Sequence, residues 1–213
     1  MAEKLIIYGA GGAGRELAFS LSLDKTSWDV TGFIDDTPEL KGKLVNGLPI
    51  LGDSEWLEKN GGNIAISVVN DPAVKRKIIE NLKNLKNINF PTIISSQSIV
   101  SNLVDWGEGC IVAHPFNYIT INVKMGNFVW INCNNLIGHD SVIGDYTTLY
   151  SAINIGGGVK IGSDCVIGTG VTINPGVTIG DGSIIGGGAL VVKDIPSNVV
   201  AAGVPAKIIR TIK

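Results

Sequence analysis

The sequence predicts a chain of two parts, an α/β N-terminal half built on a parallel sheet and an all-β C-terminal half built as a parallel β-helix. Short apolar segments alternate with helical segments over residues 1 to about 90, which is typical of a parallel sheet with helices on its faces. From residue 94 onward, aliphatic residues recur at every sixth position, a period that fits neither an α-helix nor a flat strand. The predicted domains are therefore residues 1–93 and 94–213.

The N-terminal half is predicted to be Rossmann-like, with short buried strands and connecting helices. The predicted elements are a strand at 5–8, a glycine turn at 9–14, a helix at 15–23, a strand at 30–34, a short helix after Asp53, a strand at 64–69, a helix from Pro72 to about residue 85 and a last strand at 90–94. Asp53 is a favourable N-cap, and Pro72 suits the first position of a helix.

The C-terminal half carries an aliphatic residue or Met at every sixth position of a long segment. These positions are Ile119, Met125, Ile131, Ile137, Ile143, Leu149, Ile155, Ile161, Ile167, Ile173, Ile179, Ile185 and Val191. The next residue is usually Gly, and we expect these glycines to permit the conformation of a corner. In a parallel β-helix three such hexads complete one triangular coil, so residues 18 apart stack. One extra residue interrupts the step of six before Ile119, and we expect it to bulge out near His114 and Pro115.

Composition and charge exclude several classes of protein. Gly contributes 28 of the 213 residues, yet 45% of the chain is hydrophobic, which indicates an ordered protein rich in tight turns. The net charge of -2 argues against a nucleic-acid partner. No apolar run is long enough for a membrane span, and the N-terminal apolar segment is too short for a signal peptide. Three widely separated cysteines predict reduced thiols and a cytoplasmic location.

Several segments resemble the NeuD/PglD-type sugar acetyltransferases, which are hexapeptide-repeat acyltransferases. The matching segments are IIYGAGGAGRE (6–16), GFIDD (32–36), NGLPILG (46–52), IGHDSVIGD (137–145) and AAGVPAKII (201–209). The resemblance implies a left-handed β-helix and a homotrimer whose active sites lie between neighbouring subunits. It also implies acetyl-CoA as co-substrate, without a metal, and N-acetylation of a nucleotide-linked amino sugar, usually UDP-linked, in surface-glycan synthesis.

The resemblance places catalysis at His139 and Asp140. Acyl transfer from a thioester needs a base, and an imidazole oriented by a carboxylate suits that role. Gly157 is 18 residues beyond His139, so we expect it to stack one coil above, with its N–H facing the thioester oxygen. Gly158 follows it in the same glycine run.

The resemblance also predicts where the two substrates bind. Acetyl-CoA is expected at Gly157 and Gly158 and near the chain end, at Lys193, Gly203 and Lys207. The nucleotide sugar is expected at the glycine turn and at the end of the second strand, on residues Gly9, Gly11, Gly12, Gly14, Asp35 and Asp36. The turn also matches the GxGxxG pattern of NAD proteins, but the domain is short for a dinucleotide fold.

Two residues depart from the family pattern, because Ala13 and Thr148 stand where the family often has His.

Two other functions compete with N-acetylation. An O-acetyltransferase acting on sialic acid or another sugar hydroxyl is one alternative. A non-catalytic nucleotide-sugar-binding scaffold is another, although the retained His139 and Asp140 argue against it. A carbonic anhydrase of the β-helix type is excluded, because it needs three zinc-binding histidines and the chain has two.

Overall fold

The computed structural model describes residues 2–24 and 28–212. The chain divides into two compact units, Met1–Pro91 and Thr92–Lys213. The sequence-based division after residue 93 lies two residues further along the chain. We describe the first as the α/β unit and the second as the β-helix unit.

The α/β unit contains a twisted, mostly parallel sheet. Its elements are β1 (Glu3–Tyr8), α1 (Gly12–Leu23), β2 (Trp28–Ile34), a 3₁₀ turn (Pro38–Leu40), β3 (Leu44–Val45), β4 (Leu48–Gly52), α2 (Ser54–Asn60), β5 (Gly62–Ile66), α3 (Pro72–Lys83) and β6 (Ile88–Asn89). The sheet order is β3-β4-β2-β1-β5-β6, with β3 alone antiparallel to its neighbour. The Rossmann-like prediction is confirmed, as is the capping role of Asp53, whose side chain accepts an N–H group in the first turn of α2. Asp71 caps α3 in the same way.

Several element boundaries in this unit differ from the sequence prediction. Helix α1 begins at Gly12, not at residue 15, because Gly14 belongs to the first helical turn, where a Cβ would overlap the carbonyl oxygen of Gly9. The predicted strand at 90–94 does not form. Instead β6 pairs with β5, and the next strand pairs within the β-helix, with Pro91 between them unable to donate to a ladder.

The hairpin of β3 and β4 was not predicted as strands. Asn46 and Gly47 join them, and both residues have positive φ, at 50° and 85°. This is the geometry of a two-residue hairpin turn, for which Asn-Gly is the strongest local signal. The signal was therefore present in the sequence.

The β-helix unit consists of two-residue strands that wind around an aliphatic interior. These strands are β7 (Ile93–Ile94), β8 (Ile99–Val100), β9 (Asp105–Trp106), β10 (Ile111–Val112), β11 (Tyr118–Ile119), β12 (Lys124–Met125), β13 (Trp130–Ile131), β14 (Leu136–Ile137), β15 (Val142–Ile143), β16 (Thr148–Leu149), β17 (Asn154–Ile155), β18 (Lys160–Ile161), β19 (Val166–Ile167), β20 (Thr172–Ile173), β21 (Thr178–Ile179), β22 (Ile184–Ile185) and β23 (Leu190–Val191). A hairpin of β24 (Val199–Ala202) and β25 (Lys207–Thr211) ends the chain.

Three parallel sheets form the faces of the coil. Face A contains β7, β10, β13, β16, β19 and β22 and continues into β24 and β25, face B contains β8, β11, β14, β17, β20 and β23, and face C contains β9, β12, β15, β18 and β21. The second residue of each strand from β11 to β23 points inward and is buried. Each of these inward residues belongs to the series that recurs every six residues.

The register confirms the predicted stacking. Ile119 pairs with Ile137, and Ile137 with Ile155, so neighbours in the sheet are 18 residues apart. Across the predicted bulge the offset becomes 19, since Val100 pairs with Ile119. Phe116, next to the predicted bulge site, has a φ of 64° and is exposed.

The glycines beside the inward aliphatics have a different role from the one predicted. The left-handed corner conformation occurs elsewhere, at every sixth residue from Phe116 to Gly188, three positions after each inward residue. The glycines that follow the aliphatics do not have positive φ. They are needed because the coils lie close together: a Cβ on Gly138, for example, would lie 2.6 Å from the backbone nitrogen of Gly157 in the next coil.

Candidate active site

The candidate catalytic residues lie at the corner of the β-helix between face B and face C. His139 follows β14 by two residues, and Asp140 occupies the left-handed corner position with a φ of 58°. The Nδ1 atom of His139 lies 2.7 Å from Oδ2 of Asp140. Both side chains are mostly exposed, at 64% and 58%. The two residues therefore form an accessible dyad.

Asp140 is held at both of its carboxylate oxygens. The side-chain amide of Asn122 donates to Oδ1 at 3.0 Å, while His139 contacts Oδ2. These hydrogen bonds, from His139 and then from Asn122, lower the pKa of Asp140 below its ordinary value. Because the ionised carboxylate is an acceptor, a neutral imidazole donates from Nδ1 and keeps Nε2 as a proton acceptor. Sequence reasoning missed Asn122, although its spacing of 18 residues from Asp140 marks the contact.

Gly157 stacks directly on the imidazole, as the 18-residue spacing predicts. A Cβ on Gly157 would lie 2.5 Å from Nε2 of His139, so only glycine leaves room for the ring in this position. The N–H of the neighbouring Gly158 donates to the carbonyl oxygen of His139 at 2.7 Å. The proton-accepting nitrogen thus faces a stretch of bare backbone.

The N–H of Gly157 makes no hydrogen bond to any residue that the structure describes. At the corner between faces C and A, the carboxylate of Asp181 accepts the N–H of Ser163, which lies one coil below, at 2.7 Å. The residue in the corresponding place above Gly157 is Pro175, which has no acceptor side chain. The sequence therefore leaves this N–H available to an oxygen of a ligand.

Lys193, Gly203 and Lys207 lie at the far end of the β-helix unit. Strand β23 is three coils above β14 on face B, and Lys193 follows β23 by two residues, as His139 follows β14. At one strand spacing per coil this corresponds to roughly 14 Å. Gly203 lies in the turn between β24 and β25, and Lys207 begins β25. Both lysines are exposed and separate from the dyad.

The glycine turn of the α/β unit uses part of its backbone internally. The N–H of Gly9 donates to a carbonyl of β2, and the N–H of Ala10 donates to Oδ2 of Asp35, both at 2.8 Å. Gly11 caps α1 without a side-chain acceptor, so the helix starts at Gly12 with uncapped N–H groups. Within this turn, an anion would therefore be bound by the first turn of α1.

Asp35 and Asp36 also make internal contacts. Oδ1 of Asp35 accepts the N–H of Thr37 at 3.0 Å. Asp36 accepts the hydroxyl of Tyr8 and both the N–H and the hydroxyl of Ser54. Burial opposes ionisation of Asp36, but these hydrogen bonds outweigh it and lower its pKa. Burial and then the bond to Asp36 raise the pKa of Tyr8 to about 12.

A cavity of about 450 Å³ opens beside these residues. Gly9, Asp35 and Asp36 line it together with Thr37, and so do Tyr8, Pro38 and Val68. Three of the predicted nucleotide-sugar residues are thus brought to one cavity. Sequence reasoning missed Tyr8 and Thr37, because both depend on contacts between separate strands and loops.

The two departures from the family pattern occupy different places in the fold. Ala13 lies in the first turn of α1 and is partly exposed. Thr148 is fully buried in β16 on face A. Face A is not adjacent to the corner between faces B and C where His139 lies.

Three further features concern metals, thiols and membranes. Within residues 2–24 and 28–212, no three His, Cys, Asp or Glu side chains cluster closely enough to hold a metal ion. In the described part of the chain Cys110, Cys133 and Cys165 form no disulfide, and burial raises the pKa of Cys165 to about 11. No helix in the described part of the chain has the length and apolar character needed to cross a membrane.

Two family models match this chain, one in each unit. The family model for the PglD N-terminal domain matches residues 4–82, and the model for the bacterial transferase hexapeptide (six repeats) matches residues 158–193. The structure of WeeI from Acinetobacter baumannii AYE is 30% identical in sequence, covers 96% of this chain and 99% of its own, and has a TM-score of 0.83. This chain belongs to the PglD/NeuD-type family of hexapeptide-repeat acyltransferases.

Two other proteins similar to this chain are named for, or were solved with, a nucleotide-linked amino sugar. GDP-perosamine N-acetyltransferase of Escherichia coli O157:H7 is 34% identical over 150 residues, which cover 67% of this chain and 65% of that enzyme's length. PerB from Caulobacter crescentus, solved in complex with CoA and GDP-perosamine, is 29% identical, covers 96% of both chains and has a TM-score of 0.87. The likeness confirms the predicted fold, an α/β domain followed by a left-handed β-helix.

Proposed function

We propose that this protein transfers the acetyl group of acetyl-CoA to the amino group of a nucleotide-linked sugar. The observation that carries the proposal is the dyad of His139 and Asp140 placed against the open backbone of Gly157. A base and an unused N–H donor at one corner are the two groups that acyl transfer from a thioester requires.

In the proposed reaction, His139, Asp140 and Gly157 have separate roles. The amine nitrogen of the sugar attacks the thioester carbonyl carbon and forms the new C–N bond, while the amine proton passes to Nε2 of His139. Asp140 stabilises the imidazolium that results. The N–H of Gly157 donates to the carbonyl oxygen as it becomes negative. The C–S bond then breaks, and CoA leaves as a thiol with the proton that His139 returns.

The two units are proposed to bind different substrates. In the β-helix unit, Gly157 and Gly158 face the pantetheine arm, and the exposed Lys193, Gly203 and Lys207 lie near the nucleotide end of CoA. In the α/β unit, the start of α1 and the cavity beside Asp35 are proposed to bind the nucleotide sugar.

The proposal also specifies which nucleotide is linked to the amino sugar. The resemblance suggested a UDP-linked amino sugar, whereas two similar enzymes are named for GDP-perosamine or were solved with it. We therefore place a GDP-linked amino sugar first and a UDP-linked one second. The product would enter surface-glycan synthesis in either case. A sugar hydroxyl as acceptor is the remaining alternative.

Release of free CoA thiol tests the function directly. The protein is incubated with acetyl-CoA and, in turn, GDP-linked and UDP-linked amino sugars, the same nucleotide sugars with a hydroxyl in place of the amine, and free sialic acid. We expect thiol release only with amino sugars. Release only with hydroxyl acceptors would replace N-acetylation by O-acetylation. Tight NAD binding by calorimetry, with no thiol release from any acceptor, would overturn the proposal.

We also propose a homotrimer. The outward side chains of Ile99, Tyr118 and Leu136 stack as an exposed column on face B, and Val142 is exposed on face C. The corner of His139 separates these two faces, so packing of three β-helices around an axis would cover apolar surface and place a partner beside the dyad. Light scattering at micromolar concentration should give three times the chain mass, and a monomer would contradict the proposal.

A further inference from the structure

Asn122 occupies the position directly below Asp140 in the stack of coils. Both residues take the left-handed corner conformation, with φ of 59° and 58°. The same column continues through Gly158 and Gly176, which have no side chains. Of these four stacked left-handed residues, only Asn122 and Asp140 have side chains.

An Asn amide also meets an Asp carboxylate at the corner between faces C and A, where Asn127 donates to Asp145, but at the His139 corner the carboxylate also contacts a histidine. Nδ2 of Asn122 lies 3.0 Å from Oδ1 of Asp140, the oxygen that His139 does not contact. The backbone of the same two coils is also joined there, since the N–H of Asp140 donates to the carbonyl of Ile121 at 3.1 Å. Asn134 holds the equivalent left-handed position at the corner between faces A and B, but Ala152 lies above it.

An exposed dyad needs such a restraint. Asp140 is 58% exposed, so water competes for both of its oxygens, and its side chain loses rotational freedom when it orients the imidazole. A second hydrogen bond on the opposite oxygen limits rotation of the carboxylate. The ring of His139 then keeps Nε2 towards Gly157, where the reaction is proposed to occur.

We propose that Asn122 is a positioning residue for acetyl transfer, because its side-chain amide holds the Asp140 carboxylate in the orientation that aligns His139. The inference rests on the proposed function of the dyad. In the described part of the chain Asn122 hydrogen-bonds to Asp140 and not to the imidazole, so it is proposed to act through Asp140. It should therefore affect the rate of transfer and not the binding of acetyl-CoA.

Two substitutions and a matched control test this role. Asn122→Gly removes the amide and keeps a residue that accepts positive φ, so the corner is not strained. Asn122→Asp keeps the shape but replaces the donor by a second acceptor that repels Asp140. Asn134→Gly makes the same change at a left-handed corner between faces A and B, and in the described part of the chain the Asn134 side chain makes no hydrogen bond to His139 or Asp140.

We expect Asn122→Gly to lower kcat by about three- to tenfold and Asn122→Asp by more than about tenfold. The KM for acetyl-CoA should stay within about twofold in both, and Asn134→Gly should match the wild type. In the Asp140→Gly background, Asn122→Gly should cause no further loss, because the carboxylate it positions is gone. If Asn122 had only a structural role, Asn122→Asp should instead have the same kcat as the wild type.

Three results would overturn the inference: unchanged kcat in Asn122→Gly, an equal loss in Asn134→Gly, or a full additional loss in the Asp140→Gly background. Each of these leaves the proposed function intact if the wild type still releases thiol. A wild-type protein inactive with every nucleotide amino sugar would overturn the proposed function first, and with it the role of Asn122.

Discussion

The two units of this protein use their polar side chains in different ways. In the α/β unit, acidic residues hold elements in place: Asp53 and Asp71 cap α2 and α3, and Asp36 joins Tyr8 to Ser54. In the β-helix unit, the coils are held by backbone ladders and by an interior of stacked aliphatic residues. The polar side chains at the corner of His139 contact one another instead.

The comparison shows how a repetitive scaffold leaves some residues free for chemistry. Each coil is stabilised by the same inward residues and the same ladder. Some corner side chains, such as Asp181, also accept a backbone N–H, but among the residues that the structure describes the exposed side chains of His139 and Asp140 do not join the backbone of neighbouring coils. In the α/β unit each polar contact occurs once. Substitutions at the dyad corner should therefore change catalysis with little effect on stability, and substitutions at the helix caps Asp53 and Asp71 should do the reverse.

The largest expected effect is loss of the base. His139→Ala should lower kcat by about 10²–10⁴-fold, because the amine then loses its proton without assistance. The melting temperature should hardly change, since the side chain is 64% exposed and, among the described residues, its one side-chain hydrogen bond is to Asp140. Asp140→Asn should cost less than His139→Ala. Turnover near the wild-type rate in His139→Ala would remove the active site from this corner.

Because the coils pack closely, substitution of a glycine that follows an inward aliphatic residue should lower the free energy of unfolding far more than substitution of a glycine at a left-handed corner. A Cβ on Gly144 would overlap backbone atoms of Gly162 and Ser163, so Gly144→Ala should lower the free energy of unfolding by about 2–3 kcal/mol. Gly176 has a φ of 73° and open space, so Gly176→Asn should cost less than about 1 kcal/mol. Urea denaturation measures both, and equal losses would contradict the steric explanation.

Gly157 is expected to matter through His139. Because a Cβ there would lie 2.5 Å from Nε2, Gly157→Ala must displace the imidazole, and kcat should fall by about tenfold or more. Gly187→Ala is the control, since the atom nearest to its Cβ would be the carbonyl oxygen of Thr169 at 3.1 Å, and no side chain would be displaced. A change confined to the KM for acetyl-CoA would show that Gly157 serves cofactor binding alone.

The smallest effect should come from Asp36. Asp36→Asn should lower the free energy of unfolding by about 0.5–1 kcal/mol at pH 7, because the carboxylate accepts hydrogen bonds from Tyr8 and Ser54. The folded-state pKa of Asp36 is lowered, so its contribution is present above the usual aspartate pKa of about 3.9 and is lost as the pH falls through the folded value. The difference between wild type and variant should shrink in acid. A difference that is constant from pH 7 to pH 3 would contradict this.

The sequence predicted the β-helix unit more accurately than the α/β unit, because the β-helix repeats one pattern many times and the α/β unit depends on contacts that occur once. In the β-helix, the six-residue period predicted the coil, the stacking of Gly157 on His139 and the bulge before Ile119. In the α/β unit, the predicted helices and the first three predicted strands are present with ends shifted by a few residues, but the strand predicted at 90–94 does not form and the hairpin of β3 and β4 was not predicted. These ends depend on single contacts, such as the close approach of Gly14 to Gly9.

The sequence by itself determined the fold class, the inward face of every hexad and the candidate base, because each of these is a local pattern repeated many times or a motif of adjacent residues. Only the tertiary structure decided that Asp36 binds Tyr8 and Ser54, which are 28 and 18 residues away along the chain. It also decided that the glycines beside the aliphatics are required for the approach of the next coil and not for the turn. Both depend on atoms that are brought together only after folding, and no residue pattern along the chain records that distance.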